Sequence, residues 1–198
     1  MNENNFIEVN GVRFEIIVPK RVLTLPKKDI LQKLSDIGKH LSKPPLHPSP
    51  GYPVEIGIRI TNNSDRPLYF SFYFALFPEI IRAKDGVSVP FDIGWFSPVS
   101  PLKSDFILAI PGESISFFLD ANICWLCGKN YGFTTSFGGE RLLIQPLHSE
   151  GYKLRLIYEN QKDTKECYDF LNKQTQVIEG LWTGQVLTPF VDIWLVNN

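Results

Sequence analysis

The stretch Val54-Glu55-Ile56-Gly57-Ile58-Arg59-Ile60-Thr61-Asn62-Asn63-Ser64-Asp65-Arg66-Pro67-Leu68-Tyr69-Phe70-Ser71-Phe72-Tyr73-Phe74 decides the fold class. Val54, Ile56, Ile58 and Ile60 fall on one side of a two-residue period, with Glu55, Gly57 and Arg59 on the other, the pattern of a half-buried strand. Leu68, Phe70, Phe72 and Phe74 alternate in the same way. Between the two runs, Asn62 to Pro67 is rich in turn chemistry, because Asn and Asp side chains hydrogen-bond their own backbone. Two alternating runs joined by a short polar turn predict an antiparallel pair.

The same period spreads outward. Val12, Phe14, Ile16 and Val18 alternate with polar residues, and Val22 to Leu25 extends that sheet. Lys84-Asp85-Gly86 is a hairpin signal. Phe106 to Ile110, the turn Pro111-Gly112-Glu113 and Ile115 to Leu119 repeat the strand-turn-strand pattern. Tyr152, Leu154, Leu156 and Tyr158 form a later strand with Lys153 and Arg155 on its reverse, and Val191 to Val196 a final one. Two segments read as helical. Ile30, Leu34, Ile37 and Leu41 recur at helical spacing, which predicts an amphipathic helix over Lys27–Leu41, followed by a stiff Pro-rich connection over 42–53. Asp163 with Glu166 three residues later resembles a capping box and predicts a short helix over Thr164–Leu171.

About seven to nine short strands with regular turns predict a sandwich. The expected fold is therefore all-β: one immunoglobulin-like antiparallel β-sandwich over residues 1–198, with an added N-terminal amphipathic helix.

Composition agrees. The 198 residues are 43% hydrophobic and 13% aromatic, enough to build a core without a disulfide or metal. The net charge of -1, from 20 basic and 21 acidic residues, supplies no basic stripe, so no nucleic-acid partner is expected. Pro67 to Ile81 is the most apolar stretch but is short and interrupted, so no membrane partner is expected either. Met1 to Asn5 has neither the charge nor the apolar core of a signal peptide, and an odd count of 3 cysteines leaves at least one outside any intrachain disulfide. Both point to the cytoplasm. Asn62-Asn63-Ser64 matches a glycosylation sequon, which in that compartment reads as a turn.

Several motifs carry a resemblance. Val54 through Thr61-Asn62-Asn63-Ser64 to Leu68-Tyr69-Phe70 resembles the strand-turn-strand unit of bacterial immunoglobulin-like domains, many of them uncharacterised. Ala109-Ile110-Pro111-Gly112-Glu113-Ser114 with Phe117 resembles their Pro-Gly-Glu-Ser turn. Tyr152-Lys153-Leu154-Arg155-Leu156 and Trp182-Thr183-Gly184 to Val191-Asp192-Ile193 resemble their last two strands. A second similarity is to the bacterial intracellular proteinase inhibitors. It rests on the order of Asn62 to Pro67, Trp95-Phe96 and Pro111-Gly112-Glu113. It implies inhibition of a proteinase, although Asp92-Ile93-Gly94-Trp95-Phe96 departs from that family's Trp motif with a nearby Arg.

Catalytic constellations are missing from the sequence pattern. His40, His47 and His148 are scattered, and there is no Gly-x-Ser-x-Gly elbow. Asp85, Asp92, Asp105 and Asp120 fall at turns or strand ends. Gly138-Gly139-Glu140-Arg141 lacks the Lys and Ser/Thr of a phosphate loop. Cys124-Trp125-Leu126-Cys127-Gly128 is the sharpest motif. Its thiols suit half a zinc site, for which Cys167 and His148 are the spare ligands, a redox pair, or two small buried hydrophobes. No cofactor is expected.

Aromatic residues give the stronger pointer. Opposite Phe70, Phe72 and Phe74, the other strand face carries Tyr69, Ser71, Tyr73 and Ala75, which is too apolar to face water alone. Either the Lys27–Leu41 helix and Pro-rich connection cover it, or another molecule does. Trp95, Phe96, Trp125 and Tyr131 form loop anchors in the same reading, or else plug the ends of the sandwich. The expected function is a non-catalytic cytoplasmic protein-interaction module that binds a partner protein or itself through Tyr69, Tyr73, Trp95, Phe96, Trp125 and Tyr131. The alternatives are a proteinase inhibitor, a carbohydrate-binding module that stacks sugars on those aromatics, and a thiol or zinc protein using Cys124 and Cys127.

Overall fold

The computed structural model describes residues 5–25, 51–94, 100–126, 130–137 and 140–197. In chain order the first strands are β1 (Phe6–Val9), β2 (Val12–Ile17), β3 (Val22–Leu25), β4 (Tyr52–Val54), β5 (Gly57–Asn62), β6 (Leu68–Ser71), β7 (Leu76–Arg82), β8 (Phe91–Gly94) and β9 (Phe106–Ala109). They are followed by β10 (Ser114–Phe118), β11 (Asp120–Trp125), β12 (Tyr131–Phe137), β13 (Glu140–Leu147), β14 (Gly151–Asn160), β15 (Thr164–Asp169), β16 (Gln174–Glu179), β17 (Gly184–Leu187) and β18 (Val191–Asn197).

A single bent ribbon joins two of the sheets. One sheet has the order β1-β2-β5-β10 and the next β4-β11-β12-β13-β8. The pairing of β5 with β10 runs from Ser114↔Thr61 to Phe118↔Gly57, and that of β4 with β11 continues it from Ala121↔Val54 to Ile123↔Tyr52. Between them the Leu119 N–H donates to the Ile56 carbonyl at 2.9 Å, so the register crosses the junction without a slip. The bend falls at Asp120, where the Ala121 N–H folds back to the Leu119 carbonyl at 2.9 Å. Alternation survives the bend. Val54, Ile56, Ile58 and Ile60 on one strand, and Ile115, Leu119, Ala121 and Ile123 on the other, are all buried.

The facing layer is built on β14. β7 pairs with it from Tyr152↔Arg82 to Tyr158↔Leu76. Along the opposite edge, β18 takes the first half of β14 and β17 the second. Thr188 bridges the gap between them. Its N–H donates to the Leu156 carbonyl at 2.9 Å, and its hydroxyl accepts the Leu156 N–H at 3.0 Å, a side chain standing in for a backbone partner. β3 closes this sheet beside β18, in parallel. Tyr152, Leu154, Leu156 and Tyr158 point at the bent ribbon and are at most 1% exposed. The Tyr158 ring meets Phe14 at 5.5 Å and Trp182 at 5.6 Å. At the other end Tyr152 packs with Ile123, Phe133 and Leu147 around a void of about 10 Å³, no larger than one water.

The predicted pairing of the two runs around Asn62 is corrected. β5 does not pair with β6. β5 pairs with β10 and β6 with β9. The turns at Asn62–Pro67 and at Ile110–Glu113 are therefore two arches that carry the chain between layers, side by side. Asn62, 0% exposed, stitches them together. Its Nδ2 donates to the Arg66 carbonyl in its own arch and to the Ala109 carbonyl in the other, both at 2.8 Å. Its Oδ1 accepts from the Ser64 N–H at 3.1 Å and from the Ser64 hydroxyl at 2.6 Å. Its backbone N–H donates to the Glu113 carbonyl at 2.9 Å, and its carbonyl accepts the Gly112 N–H at 2.6 Å. Gly112 sits at φ +83°, where a side chain would be strained.

The helical part of the expected fold is corrected too. The described residues contain no α-helix, only the 3₁₀ turn Lys103–Asp105, and β3–β18 departs from a purely antiparallel sandwich. The described residues are all-β, consistent with a sandwich, and no α-helix elaborates it among them. Lys27–Leu41 lies outside the described residues, and the Pro-rich connection ends in β4 rather than in a linker. Thr164–Leu171 is strand β15 and its turn, because pairing with β16 overrides the capping signal. No helix among the described residues is long and apolar enough to cross a membrane.

The arches give a stability test. An Asn62→Ala change takes the side-chain donor from the buried Ala109 carbonyl and leaves the Arg66 carbonyl only the Ser64 hydroxyl at 3.1 Å, so urea unfolding will show a loss of roughly 1–3 kcal/mol. Asn62→Asp, which keeps the shape but cannot donate, will lose at least as much. The exposed neighbour substitution Asn63→Ala will stay within about 0.5 kcal/mol of the parent. An Asn62→Ala protein as stable as the parent would refute the assignment.

Candidate functional site

The face carrying Tyr69 is covered by the β15–β16 hairpin, whose first strand falls where the sequence predicts a helix. Tyr69 packs on Phe106, Cys167, Ile178 and Leu181, a second small core beneath the β15–β16 hairpin. Its N–H donates to the Gly180 carbonyl at 3.0 Å, and its carbonyl accepts the Trp182 N–H at 2.9 Å. Ser71 and Ala75 are buried as well. Trp125, 7% exposed, fills core space opposite the half-buried Tyr131 in the β11–β12 register. It is a packing residue rather than a loop anchor, so it offers no open ring for a sugar. Trp95, Phe96, Cys127, His40 and His47 lie outside the described residues.

Cys124 is 1% exposed, and its Sγ donates to the Gly132 carbonyl at 3.4 Å. Burial pushes its pKa up, which keeps it a thiol. Cys167 lies in the small core beside Tyr69, and His148 is exposed at the β13–β14 turn, its N–H donating to the Tyr152 hydroxyl at 2.9 Å. Burial pushes the Tyr152 phenol up to about 12. The described residues bring no group of three or more His, Cys, Asp or Glu into metal-binding proximity.

Tyr73 is placed differently from Tyr69. β6 ends at Ser71, and Phe72–Ala75 form a turn before β7 rather than continuing the strand. Phe74 adopts φ +51°, a left-handed conformation that costs a bulky L-residue roughly 1–2 kcal/mol. Packing on both sides holds it there. Phe72 stacks on Phe117 at 4.3 Å, and the Glu159 N–H clamps the Ala75 carbonyl at 2.8 Å. The turn brings the Tyr73 ring edge-on to Phe74, 4.6 Å between centroids.

The opposite wall is set by Asn160, at the end of β14. Its Nδ2 donates to the carbonyls of Lys162 at 2.8 Å and Trp182 at 2.7 Å, which fixes the turn into β15. β15 then points Lys165 back at Tyr73. The Lys165 Nζ donates to the Tyr73 carbonyl at 3.4 Å and lies 4.9 Å from the Tyr73 ring centroid. A cleft of about 980 Å³ opens here, with Tyr73, Phe74, Phe77 and Val177 as apolar walls, Lys162 and Lys165 as cations, and Glu159 and Glu166 as carboxylates. Burial lowers the Lys165 pKa, and the charge of Lys162 lowers it further, against a smaller opposing pull from Asp105.

The hairpin that carries Lys165 is held at its far end by Asp169, 2% exposed. One carboxylate oxygen accepts the Leu171 N–H at 2.9 Å and the Asn172 N–H at 3.2 Å. The other accepts the Asn172 side-chain amide at 2.9 Å and the Lys103 ammonium at 3.2 Å. This turn leaves Phe170 68% and Leu171 93% exposed.

The sequence singles out Tyr73, which lines the cleft, but not Lys165, Asn160 or Asp169. The two-residue period of Lys165, Cys167 and Asp169 was the signal available for β15, and the capping-box pattern masked it.

Burial acts to raise the Asp169 pKa, but its bonds from Asn172, Lys103 and Leu171 outweigh this and hold it below 3.8, the ordinary value. A lowered folded pKa stabilises the fold above 3.8, and that contribution is lost as pH falls through the folded pKa. An NMR titration following the Leu171 and Asn172 amides will give a midpoint below 3.8, and Asp169→Asn will abolish the transition. A midpoint at or above 3.8 would show that these bonds do not hold the turn.

No family model matches this chain, and no curated protein or solved structure is recognisably similar to it.

Proposed function

We propose that this chain is a non-catalytic protein-interaction module that takes an extended segment of a partner protein in the cleft between Tyr73 and Lys165. The observation that carries the reading is the cleft itself: about 980 Å³, with aromatic and aliphatic walls and a few placed polar groups. Ligand sites combine these features, apolar area for affinity and sparse polar groups for orientation. Tyr73 suits such a role, since aromatic residues with a polar tip are enriched among interface anchors.

The supporting geometry is rigid. Both walls rest on fixed turns, one locked by packing around Phe74 and the other by the Asn160 amide. A site held in place before binding loses less conformational freedom when its ligand arrives. The free thiols of Cys124 and Cys167, both buried, favour a reducing and hence cytoplasmic setting for the module.

A displayed library of unstructured peptides tests the reading. The parent protein will enrich a related set of sequences, and Tyr73→Ser will weaken their binding at least tenfold with its unfolding midpoint unchanged. A library that yields no enriched set, or one that Tyr73→Ser binds equally well, would overturn the proposal.

A further inference from the structure

Lys165 is an ammonium drawn partly out of water, and no carboxylate among the described residues forms an ion pair with it. It is half-buried, and its partners among the described residues are a carbonyl at 3.4 Å, long for a charged donor, and the face of the Tyr73 ring at 4.9 Å. An ammonium has three donors, so donor capacity remains on the cleft side. Lys162 lines the same cleft, and its charge opposes that of Lys165.

The nearby carboxylates are engaged or turned away. Glu159 lines the cleft too, but both its oxygens are held, accepting from the amides of Gln161 at 2.7 Å and Gln185 at 3.0 Å. Asp105 accepts the Leu102 N–H at 2.8 Å. Glu166 also lines the cleft, but it is exposed and lies on the alternate face of β15 from Lys165. An incoming anion would relieve two like charges at once and would add a paired counter-ion where the described residues supply only the smaller pull of Asp105.

We infer that the cleft selects an acidic peptide, one carboxylate of which sits on the Lys165 ammonium between the Tyr73 ring and Lys162. This rests on the peptide-binding reading above. A carboxylate fits better than a phosphate group, because lysine ammonium groups offer point-charge pairing without the guanidinium forks or ring of backbone N–H groups that phosphate sites usually add. The apolar walls then take the ligand's neighbouring side chains.

The test uses two fluorescein-labelled nonapeptide pools, one of glutamate, leucine, tyrosine and serine, the other with glutamine replacing glutamate. The full-length protein will bind the acidic pool at least tenfold more tightly. Lys165→Met, which keeps the stem and removes the charge, will erase that preference. Lys165→Arg will retain most of it, and Lys173→Met, at the hairpin turn, will leave it intact. Unfolding midpoints of each variant show that the fold survives. With the lysines reductively ¹³C-methylated, the Lys165 signal will titrate at higher pH when the acidic pool is bound. Equal binding of the two pools, or a preference that survives Lys165→Met, would overturn the carboxylate assignment while leaving peptide binding standing. A preference lost equally in Lys173→Met would reduce it to bulk charge and overturn it as well. Failure of both pools to bind would remove the peptide reading and the inference together.

Discussion

The fold depends on the buried amide of Asn62. The chain crosses between layers twice at the same place, from β5 to β6 and back from β9 to β10, and each crossing exposes backbone carbonyls that the sheets no longer satisfy. One side chain with two donors and an acceptor resolves this, because it reaches Arg66 in its own arch and Ala109 in the next. A buried polar group without partners is costly, whereas a fully bonded one fixes geometry. Once the arches are stacked, β5 must lie beside β10 and β6 beside β9. The ribbon that β5 and β10 begin can then run on through the bend at Asp120 into the second sheet.

The chain uses the same device again where the cleft is built. Asn160 closes a strand end as Asn62 does, donating to one carbonyl nearby in sequence and one far away. Thr188 performs a related substitution at the break between β17 and β18. These side chains let a short backbone change direction inside a well-packed molecule without leaving groups unpaired. The strained Phe74 belongs with them: its cost is offset by the stacking of Phe72 on Phe117 and by the anchored Ala75 carbonyl, and the result is a turn that presents Tyr73 to Lys165.

Strands buried on one face were legible from sequence, since alternation is what one-sided burial imposes. Val12 to Ile16, Val54 to Ile60 and Tyr152 to Tyr158 all keep that period. Pairing was not legible. The polar turn after Ile60 looks like a hairpin, yet whether it folds back or crosses depends on the Ala109 carbonyl, 47 residues away in sequence from Asn62. β12 was hidden for another reason: Gly132, Phe133, Thr134 and Thr135 are all buried, so neither face supplies a period. Half of the cleft could be read. Tyr73 announced itself as an aromatic residue on a face already too apolar. Lys165 looked like any surface lysine until β16 turned its strand toward Tyr73.

The stacked arches also govern the order in which the molecule can assemble. The strands on either side of each arch are sent to different layers, and β5 waits for β10, β7 for β14 and β3 for β18. The β11–β12–β13 meander and the β15–β16 hairpin are pieces that close locally. Loop-closure entropy must be met before such distant pairings reward it, which places this chain among the slow folders of its size. On the ribosome, β3 would be made long before the strand that completes its sheet. Through that interval its unpaired edge is the part of the nascent chain most in need of protection from its neighbours.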